Sequence, residues 1–596
     1  MKVQTLIIGA GPAGLCGAIA LAESNVDVLV VDEGIKPGGQ LTKQTHKFFG
    51  HEKFFASVRG FEIGKILYNK AKKLGVKFLL QSTVSGIYED TIVIYDRKNN
   101  VVKEVDADFL LIATGASEKF ISFEKNYLPG VYGAGAVQTL IHQYRALPGV
   151  DFLIVGAGNI GLILAYQLIQ ANANVKAIIE ISNKIGGYRV HANKIRRMGV
   201  PILLRHTILK AIGEERVRGA VVGRLNENDT VDETMEFAVD TICLSVGLQP
   251  SIELAAQAGV KIEYIPELGG FVPFRDENMK ACERVYIAGD LAGIEEATTA
   301  MIEGYIAGYN IAQEITSKSF KNKINFYKNE LKIFRSGPFA SKIRNGLKKF
   351  GIHFEKLPYI EKFEKEEIKE NKLHAVIECP QAIPCNPCET SCPTSAIKIG
   401  ENINNVPMVD AQKCIGCGIC VMKCPGLAIF LVQRLDDYSI VGIPYEFKLP
   451  EVKEEVELFN KDGNFLGKGT VLKIMKNDKG KTHVIFLKVP KGLEKEVRHF
   501  KRFVGKDDEI VCRCEGITRK EIEIAIDNGF KDFEELRRYL RISMGPCGGR
   551  TCRLQTLFIL SKRLNIPISE IDMGTLRPPS IPLPFRAILK GVEKDV

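Results

Sequence analysis

Two glycine-rich segments, each set between an apolar run and a carboxylate at nearly the same spacing, constrain the fold of this chain more than any other feature. In the first, residues 4–8 read as a short buried strand and Gly9-Ala10-Gly11-Pro12-Ala13-Gly14 follows. A helix of small residues then runs to about Ser24, and a second strand, Val26–Val31, ends at Asp32, 23 residues beyond Gly9. In the second, Phe152–Val155 leads into Gly156-Ala157-Gly158-Asn159-Ile160-Gly161, a helix and the strand Val175–Ile179. Glu180 closes it, 24 residues beyond Gly156. Strand, G-x-G-x-x-G turn, helix, strand and acid together make a dinucleotide-binding fingerprint. Its duplication predicts an α/β chain with two Rossmann-like domains.

Each glycine answers a separate need. Gly9 and Gly156 allow the tight turn, Gly11 and Gly158 let backbone approach a pyrophosphate, and Gly14 and Gly161 let helix pack close to strand. The helix N-termini, at Pro12-Ala13 and at Asn159-Ile160, offer free N–H groups to phosphate. Asp32, with Glu33 beside it, can accept from ribose hydroxyls. Three later segments point to FAD in the first site: Gly38-Gly39-Gln40 just beyond the acid, Ala113-Thr114-Gly115 closing the apolar strand Phe109–Ile112, and Gly289-Asp290 after Tyr286-Ile287-Ala288. In the second site Glu180 accepts two ribose hydroxyls and repels a 2′-phosphate, so NAD(H) is expected over NADP(H). The open alternatives there are another adenine nucleotide, or a relic of the fold that binds nothing.

The 596 residues allow roughly three to five domains, and a hydrophobic content of 45% can fill their cores. The net charge is +10, and residues 318–374 carry most of it, with 15 Lys/Arg against 7 Asp/Glu. That stretch has no nucleic-acid-reading motif. It reads as a solvated linker or a docking face for an acidic electron carrier. The uncharged run Leu6–Ala22 imitates a secretory leader, but Gly9, Gly11, Pro12 and Gly14 fall where a nucleotide-binding turn needs them. No other stretch has membrane-spanning character, and a cytoplasmic enzyme is expected.

Twelve of the 15 cysteines follow residue 378, in tight groups. Such grouping suggests metal centres and not disulfides. Cys16, Cys243 and Cys282 stand alone in apolar surroundings and read as packing residues. Cys414-x2-Cys417-x2-Cys420-x3-Cys424-Pro425 has the spacing of bacterial two-cluster ferredoxins, in which the fourth cysteine serves the other cluster. Cys385-x2-Cys388-x3-Cys392-Pro393 repeats the last three positions. The missing first position, 382, is Ala, and Cys379 can substitute. One [4Fe–4S] cluster is therefore expected on Cys379, Cys385, Cys388 and Cys424, and another on Cys392, Cys414, Cys417 and Cys420. Without Cys379 the first site could hold three irons. The last group, Cys512-x-Cys514 and Cys547-x4-Cys552, brackets the helical stretches Arg519–Asn528 and Phe533–Leu540. It suits a [2Fe–2S] cluster, with zinc as the rival on spacing alone.

The fingerprint segments, with the three later FAD segments, resemble the two-dinucleotide-domain flavoproteins that include thioredoxin reductase. The resemblance implies that Asp290 holds the flavin ribityl–phosphate region and that Gly39 and Gln40 lie near the isoalloxazine. Disulfide reductases of that kind place a cysteine pair beside the flavin. Residues 1–378 contain none, so flavin electrons need another outlet. A narrower likeness rests on segments far apart but in order: Leu128-Pro129-Gly130-Val131, Gly247-Leu248-Gln249-Pro250, Leu268-Gly269-Gly270-Phe271, Cys512-Arg513-Cys514-Glu515 and Met544-Gly545-Pro546-Cys547-Gly548-Gly549-Arg550-Thr551-Cys552. These resemble the large flavoprotein subunit of multimeric amino-acid dehydrogenases: dye-linked L-proline dehydrogenase alpha, opine oxidase A, hydrogen cyanide synthase B and heterotetrameric sarcosine oxidase alpha. The likeness covers about residues 1–315 and 508–585.

The resemblance implies a hetero-oligomer in which a second FAD-containing subunit oxidises an amino acid or secondary amine. This chain would pass the electrons to ferredoxin or NAD, with an FMN at the subunit contact in some relatives. The expected domains are FAD-binding (1–118 and 246–316), NAD(H)-binding (119–245), a basic linker (317–374), a two-[4Fe–4S] α+β ferredoxin domain (375–432), a small β domain (433–507) with glycine turns at Phe465–Lys468 and Gly480–Lys481, and a helical [2Fe–2S] domain with a tail (508–596). No catalytic base for amine oxidation is legible. His46, close to the flavin turn, is the one histidine worth testing, and its ordinary reading is packing or surface. A self-sufficient NADH:ferredoxin oxidoreductase and a glycerol-3-phosphate dehydrogenase subunit are the alternatives. Neither membrane nor nucleic-acid partners are expected.

Overall fold

The computed structural model describes residues 1–89, 91–361, 371–502, 510–512, 515–545, 549 and 552–574. The chain folds as two compact units, Met1–Phe500 and a second from Lys501 onward.

The first unit opens with two copies of one plan. In the first copy a sheet runs in the order Lys280–Cys282, Val285–Ile287, Val101–Ile112, Lys2–Ile8, Val28–Asp32, Lys77–Leu80, and its central pairings are parallel. Ile8 lies opposite both Val31 and Ile112. The strands therefore end together, and the residues just beyond them (Gly9, Asp32, Ala113) share the carboxyl edge, where such sheets bind ligands. An antiparallel meander, Ser82–Tyr88, Thr91–Asp96 and Val101–Ile112, is attached. In the second copy the parallel order is Ile202–Leu204, Asn174–Glu180, Asp151–Val155, Thr241–Leu244, Val131–Gly133. A second meander, His206–Ile212, Gly219–Leu225 and Val231–Phe237, occupies the corresponding place.

The first fingerprint helix, Pro12–Ala22, is buried on nearly every side. A helix apolar all round must be enclosed, and here the enclosing partner is Ala297–Thr316. The two helices approach at their glycines. A Cβ on Gly304 would sit 2.1 Å from the Ala13 carbonyl oxygen, and one on Gly308 would sit 2.6 Å from that of Gly17. Cys16 fills this core as a packing residue.

The basic stretch after residue 316 is not a solvated linker throughout. Lys321–Ser336 and Ser341–Lys348 are helices. Ile324, Tyr327, Leu331 and Phe334 recur at helical spacing and face inward, with Leu331 and Phe334 entering the core of the first domain. Ile343, Leu347 and Phe350 pack on Leu268 and Val272. The lysines crowd the outward face, so a count of charges alone hides the apolar stripe.

The cysteine module and the β segment after it share one sheet. Its order is His374–Ile377, Ile429–Arg434, Tyr438–Tyr445, His483–Pro490, Phe465–Met475, Glu455–Phe459, His499–Arg502. The segment expected as a separate small domain is thus continuous with the ferredoxin-like part. Phe465–Lys468, expected as a glycine turn, begins a long strand that is irregular near Gly467, whereas Gly480–Lys481 does turn. The cysteine loops pack on one face of the sheet through Leu431, Val484 and Phe486.

In the second unit, helices Arg519–Asp527, Phe533–Leu540 and Arg553–Leu564 enclose Val511, Ile522, Phe533 and Leu536. Thr518 and Glu521 form a reciprocal capping box, and Asp532 caps the next helix through the Glu534 and Glu535 amides. No helix among the described residues is long and apolar enough to cross a membrane.

The close helix approach makes Gly304→Ala a sensitive probe. The added methyl has no space beside the Ala13 carbonyl, and overpacking of this kind costs about 1–3 kcal/mol. Urea denaturation should show that loss, while Gly75→Ala, where a Cβ meets nothing within 4 Å but φ is +87°, reports only backbone strain.

Candidate functional site: two nucleotide cradles and a cysteine module

The two cradles repeat each other atom for atom. Asp32 Oδ2 accepts from Ala10 N at 2.6 Å and Oδ1 from Gly34 N at 2.7 Å. Glu180 Oε2 accepts from Ala157 N at 2.8 Å and Oε1 from Ser182 N at 3.0 Å. In each half the acid after the second strand fixes the glycine turn. Gly9 (φ +105°) and Gly156 (φ +107°) are irreplaceable, because a Cβ would fall 2.3 and 2.2 Å from the carbonyl oxygens of Ala113 and Ser245. A Cβ on Gly14 or Gly161 would strike the first glycine's own carbonyl, at 1.9 and 2.2 Å. Gly11 and Gly158 differ, since a Cβ there meets no protein atom within 4 Å. Packing does not require those glycines, so the space they leave suits a phosphate at the N-termini of the helices beginning at Pro12 and Asn159.

Around the first cradle, Gly38 N donates to Ala10 O at 2.8 Å, and a Cβ on Gly39 would come within 2.9 Å of Gly11 Cα. The glycine pair therefore lies directly on the phosphate turn, with Gln40 and Glu33 exposed beside it. Thr114 Oγ1 donates to Ser251 O at 3.0 Å, and Gly115 O accepts from Ser251 N at 3.0 Å. Gly289 N donates to Glu303 Oε2 at 3.0 Å. Burial raises the Asp290 carboxyl to about 7, and the neighbouring carboxylates of Glu303, Glu295 and Glu296 add to it. Hydroxyl donors of a bound flavin's ribityl chain would relieve that penalty, so these residues fit FAD. When bound, FAD supplies exchange between electron pairs and single electrons.

The acids are answered by arginines that sequence reading did not find. Glu303 Oε1 accepts from Arg275 Nη2 at 2.8 Å and from Arg335 Nη2 at 2.6 Å. Arg335 also pairs with Glu295, through Nε at 3.0 Å and through Nη2. Both guanidinium groups are buried. Arg335 comes from the stretch expected to be linker. It reaches the flavin turn because its helix lies on Ala297–Thr316, a placement no local motif announces. In the second cradle, Asn159 Nδ2 donates to Glu296 Oε1 at 3.2 Å and Tyr188 OH donates to the same oxygen at 3.3 Å. These bonds tie the second fingerprint to the first domain. Ile160 lies beside Asn159 in the helix's first turn.

The cysteines gather in two sets. Burial pushes the Cys379 thiol up to about 12, and the charge of Cys424 adds to it. The thiols of Cys385 and Cys388 are raised by burial first; Cys424 and Cys379 add to both, and Cys385 and Cys420 add to Cys388. Cys379, Cys385, Cys388 and Cys424 thus lie near one another, with Cys420 of the second set close to Cys388. Cys392, Cys414, Cys417 and Cys420 line a second hollow with Ile397, Ile415 and Leu431. Backbone amides serve the sulfurs, with Ala396 N to Cys392 at 3.2 Å, Ala375 N to Cys414 at 3.4 Å and Ala428 N to Cys424 at 3.4 Å. Bonds of this kind favour thiolates, so the donor sets fit iron–sulfur ligation. In the second unit Cys512 and Cys552 lie together, and Ser543 Oγ is 3.3 Å from the Cys552 sulfur. Cys514 and Cys547 lie outside the described residues.

The flavin turn leads directly into this module. Gly50 O accepts from Asn386 N at 3.1 Å, next to Cys385, and the Gly50 amide works against the rise of the Cys385 thiol. Lys47 Nζ donates to Met422 O and, at 2.6 Å, to Thr482 Oγ1. His46 is packed between Phe48 and His191 with its Nδ1 unpartnered. Burial, then Lys194 and Arg59, push it down to about 3. It is a neutral packing imidazole at ordinary pH, in keeping with its ordinary reading.

This combination defines a flavoprotein oxidoreductase with attached iron–sulfur domains. Residues 3–304 match the family described as pyridine nucleotide-disulphide oxidoreductase, residues 382–428 a 4Fe-4S dicluster domain and residues 510–562 a BFD-like [2Fe-2S] binding domain. The chain belongs to the pyridine nucleotide-disulphide oxidoreductase family and is an FAD-dependent iron–sulfur oxidoreductase. Among its relatives, the A subunit of opine oxidase from Rhizobium meliloti (strain 1021) is 26% identical over 332 residues, 52% of this chain and 70% of that protein. The alpha subunit of sarcosine oxidase from the same strain is 26% identical over 328 residues, 52% of this chain and 30% of that protein. Thioredoxin reductase of Bacillus subtilis (strain 168) is 27% identical over 322 residues, 52% of this chain and 93% of that protein. The match spans about half of this chain and under a third of the sarcosine oxidase protein. The C-terminal match favours iron–sulfur over zinc at Cys512 and Cys552.

Two outcomes follow for the flavin site. Arg335→Met takes from Glu295 its guanidinium partner and leaves Glu303 with Arg275 alone, and losing one partner of a buried pair costs roughly 3–5 kcal/mol. Denaturation should register it, and FAD retained on gel filtration should fall. Asp290→Asn tests the raised carboxyl. Because folding raises this group's pKa, the folded state keeps a proton that the unfolded state releases between about pH 4 and 7. Stability is therefore lost as pH rises through that window. In FAD-free protein, Asp290→Asn should gain on wild type from near zero at pH 4 to at most about 4 kcal/mol above pH 7. Partial exposure of the residue trims the gain.

Proposed function

We propose that this chain is the electron-transfer flavoprotein subunit of a multimeric dehydrogenase. A second, FAD-containing subunit oxidises an amino acid or secondary amine of proline, sarcosine or opine type. Electrons leave through this chain to ferredoxin or NAD. The observation that carries the reading is the contact of the 47–50 loop, a few residues beyond the flavin turn, with Asn386, next to Cys385, and with Met422. Residues 1–378, by contrast, hold only the isolated Cys16, Cys243 and Cys282. The outlet of the flavin is then the cysteine module and not a disulfide. The names of the relatives, subunits of opine and sarcosine oxidases, support a hetero-oligomer with the oxidation site elsewhere.

In this reading FAD occupies the cradle of Gly9, Gly11, Gly14 and Asp32. NAD(H) or another adenine nucleotide occupies that of Gly156, Gly158, Gly161 and Glu180. Two [4Fe–4S] clusters and one [2Fe–2S] cluster fill the twelve grouped cysteines, and the complex is cytoplasmic. The geometry of Glu180 supports one rival, a self-sufficient NADH:ferredoxin oxidoreductase.

Anaerobic purification of the native complex, with identification of its companions, separates them. Proline, sarcosine or an opine should bleach the flavin and drive dye reduction, and iron analysis should give about ten irons per chain. Bleaching by NADH in the isolated chain, with no response to any amine in the complex, would establish the rival.

A further inference from the structure

The junction of the nucleotide-binding halves with the cysteine module buries more positive charge than its carboxylates balance. Lys47, Lys194 and Arg197 are 4%, 2% and 5% exposed, and the Arg59 side chain is 14% exposed. Glu378 acts on Arg197, and Glu446 is the carboxylate shared by Lys47, Lys194 and Arg59. It accepts from Arg59 Nη2 at 3.0 Å and from Thr482 Oγ1, which itself accepts from Lys47. Lys194 Nζ lies 3.9 Å over the Tyr166 ring. The nearby Glu378 is already paired with Arg498. Counting Arg498, five cations face the two carboxylates Glu446 and Glu378, an excess of three. An unpaired ammonium or guanidinium is costly in a protein interior, so this cluster calls for a buried anion.

The cysteine sulfurs supply one. Lys47 holds the carbonyl of Met422 and Arg197 Nη1 holds that of Leu427 at 3.1 Å, on either side of Cys424 in the chain. The charge of Cys424 acts on Lys47, Lys194 and Arg197 alike. Four thiolates around a cubane leave about two negative charges when it is oxidised and about three when it is reduced, which matches the excess. The hollow of the second cysteine set has no cation among its lining residues, and Ile415 at its edge is 58% exposed.

We propose that Lys47, Lys194 and Arg197, contributed by the two nucleotide-binding domains, are positioning residues that form the buried counter-charge of the cluster held by Cys379, Cys385, Cys388 and Cys424, and that they raise its reduction potential. Reduction adds one negative charge, and adjacent desolvated cations stabilise the reduced state more than the oxidised one. The proposal rests on the cluster assignment given under Proposed function.

The test is an anaerobic redox titration of the holoenzyme followed by electron paramagnetic resonance. Cys385→Ser identifies which of two [4Fe–4S] signals belongs to the first site. Lys47→Met and Lys194→Met should each shift that signal's redox equilibrium about tenfold toward the oxidised form, about 59 mV for one electron. The second signal should stay in place, and Lys194→Arg should restore the wild-type value. If a Met variant loses iron, Lys194→Gln is titrated instead. An unmoved first signal with both clusters present, or equal movement of both signals, overturns the proposal. About two irons per chain in the wild type, with no signal lost in Cys385→Ser, overturns the cluster assignment instead, and the proposal with it.

Discussion

A charge buried in a protein must meet an opposite charge or several dipoles, and the interior of this molecule is organised around that requirement. Near the flavin turn the excess is negative. Asp290, Glu295, Glu296 and Glu303 crowd together and are answered by Arg275 and Arg335. At the junction with the cysteine module the excess is positive: Lys47, Lys194 and Arg59 share Glu446, and the charge of Cys424 acts on Lys47, Lys194 and Arg197. The loop from Lys47 to Gly50 joins the two regions, which ties the flavin site to the cysteine module by covalent chain as well as by contact. Breaking either charge group leaves an ion without water or partner.

The duplicated cradle shows how far a local pattern can specify geometry. Asp32 and Glu180 make the same pair of backbone hydrogen bonds, and Gly9 and Gly156 adopt φ angles within a few degrees of each other. These features depend on contacts within one strand–turn–helix unit, so their signal is complete in sequence. The surroundings of the two cradles differ. The first is overlaid by Gly38-Gly39 and closed by Asp290. The second is bonded across to Glu296 through Asn159 and Tyr188. A shared motif therefore serves two sites of different character.

The cysteine spacing was equally legible. Short loops can place three thiols round one cube, and the proline after the fourth cysteine turns that thiol to the neighbouring set. Cys379 lies with Cys385, Cys388 and Cys424 although it stands three residues before the expected position, because the chain from Cys379 to Cys385 is long enough to loop back. The basic stretch misled for a physical reason. Lysines at the surface of Lys321–Ser336 dominate its composition, while the stripe of Ile324, Leu331 and Phe334 that anchors it is sparse. The β segment after residue 433 likewise looked separate, since strand pairing between Ile429–Arg434 and Tyr438–Tyr445 carries no label in either strand.

Sequence alone determined the two dinucleotide folds, the grouping of the cysteines, the absence of a cysteine pair in residues 1–378 and hence the class of chemistry. These are written in short motifs at fixed spacings and in where cysteines fall, where covalent geometry limits the outcomes. Tertiary structure decided which side chains meet across long separations. Arg335 reaches Glu303, Gly50 bonds Asn386 beside Cys385, and Lys47 and Lys194 come under the charge of Cys424 from different domains. Such meetings depend on how helices and sheets pack and not on spacing along the chain. They set the electrostatic environment of the flavin turn and of the first cysteine set, and a linear pattern contains no information about them.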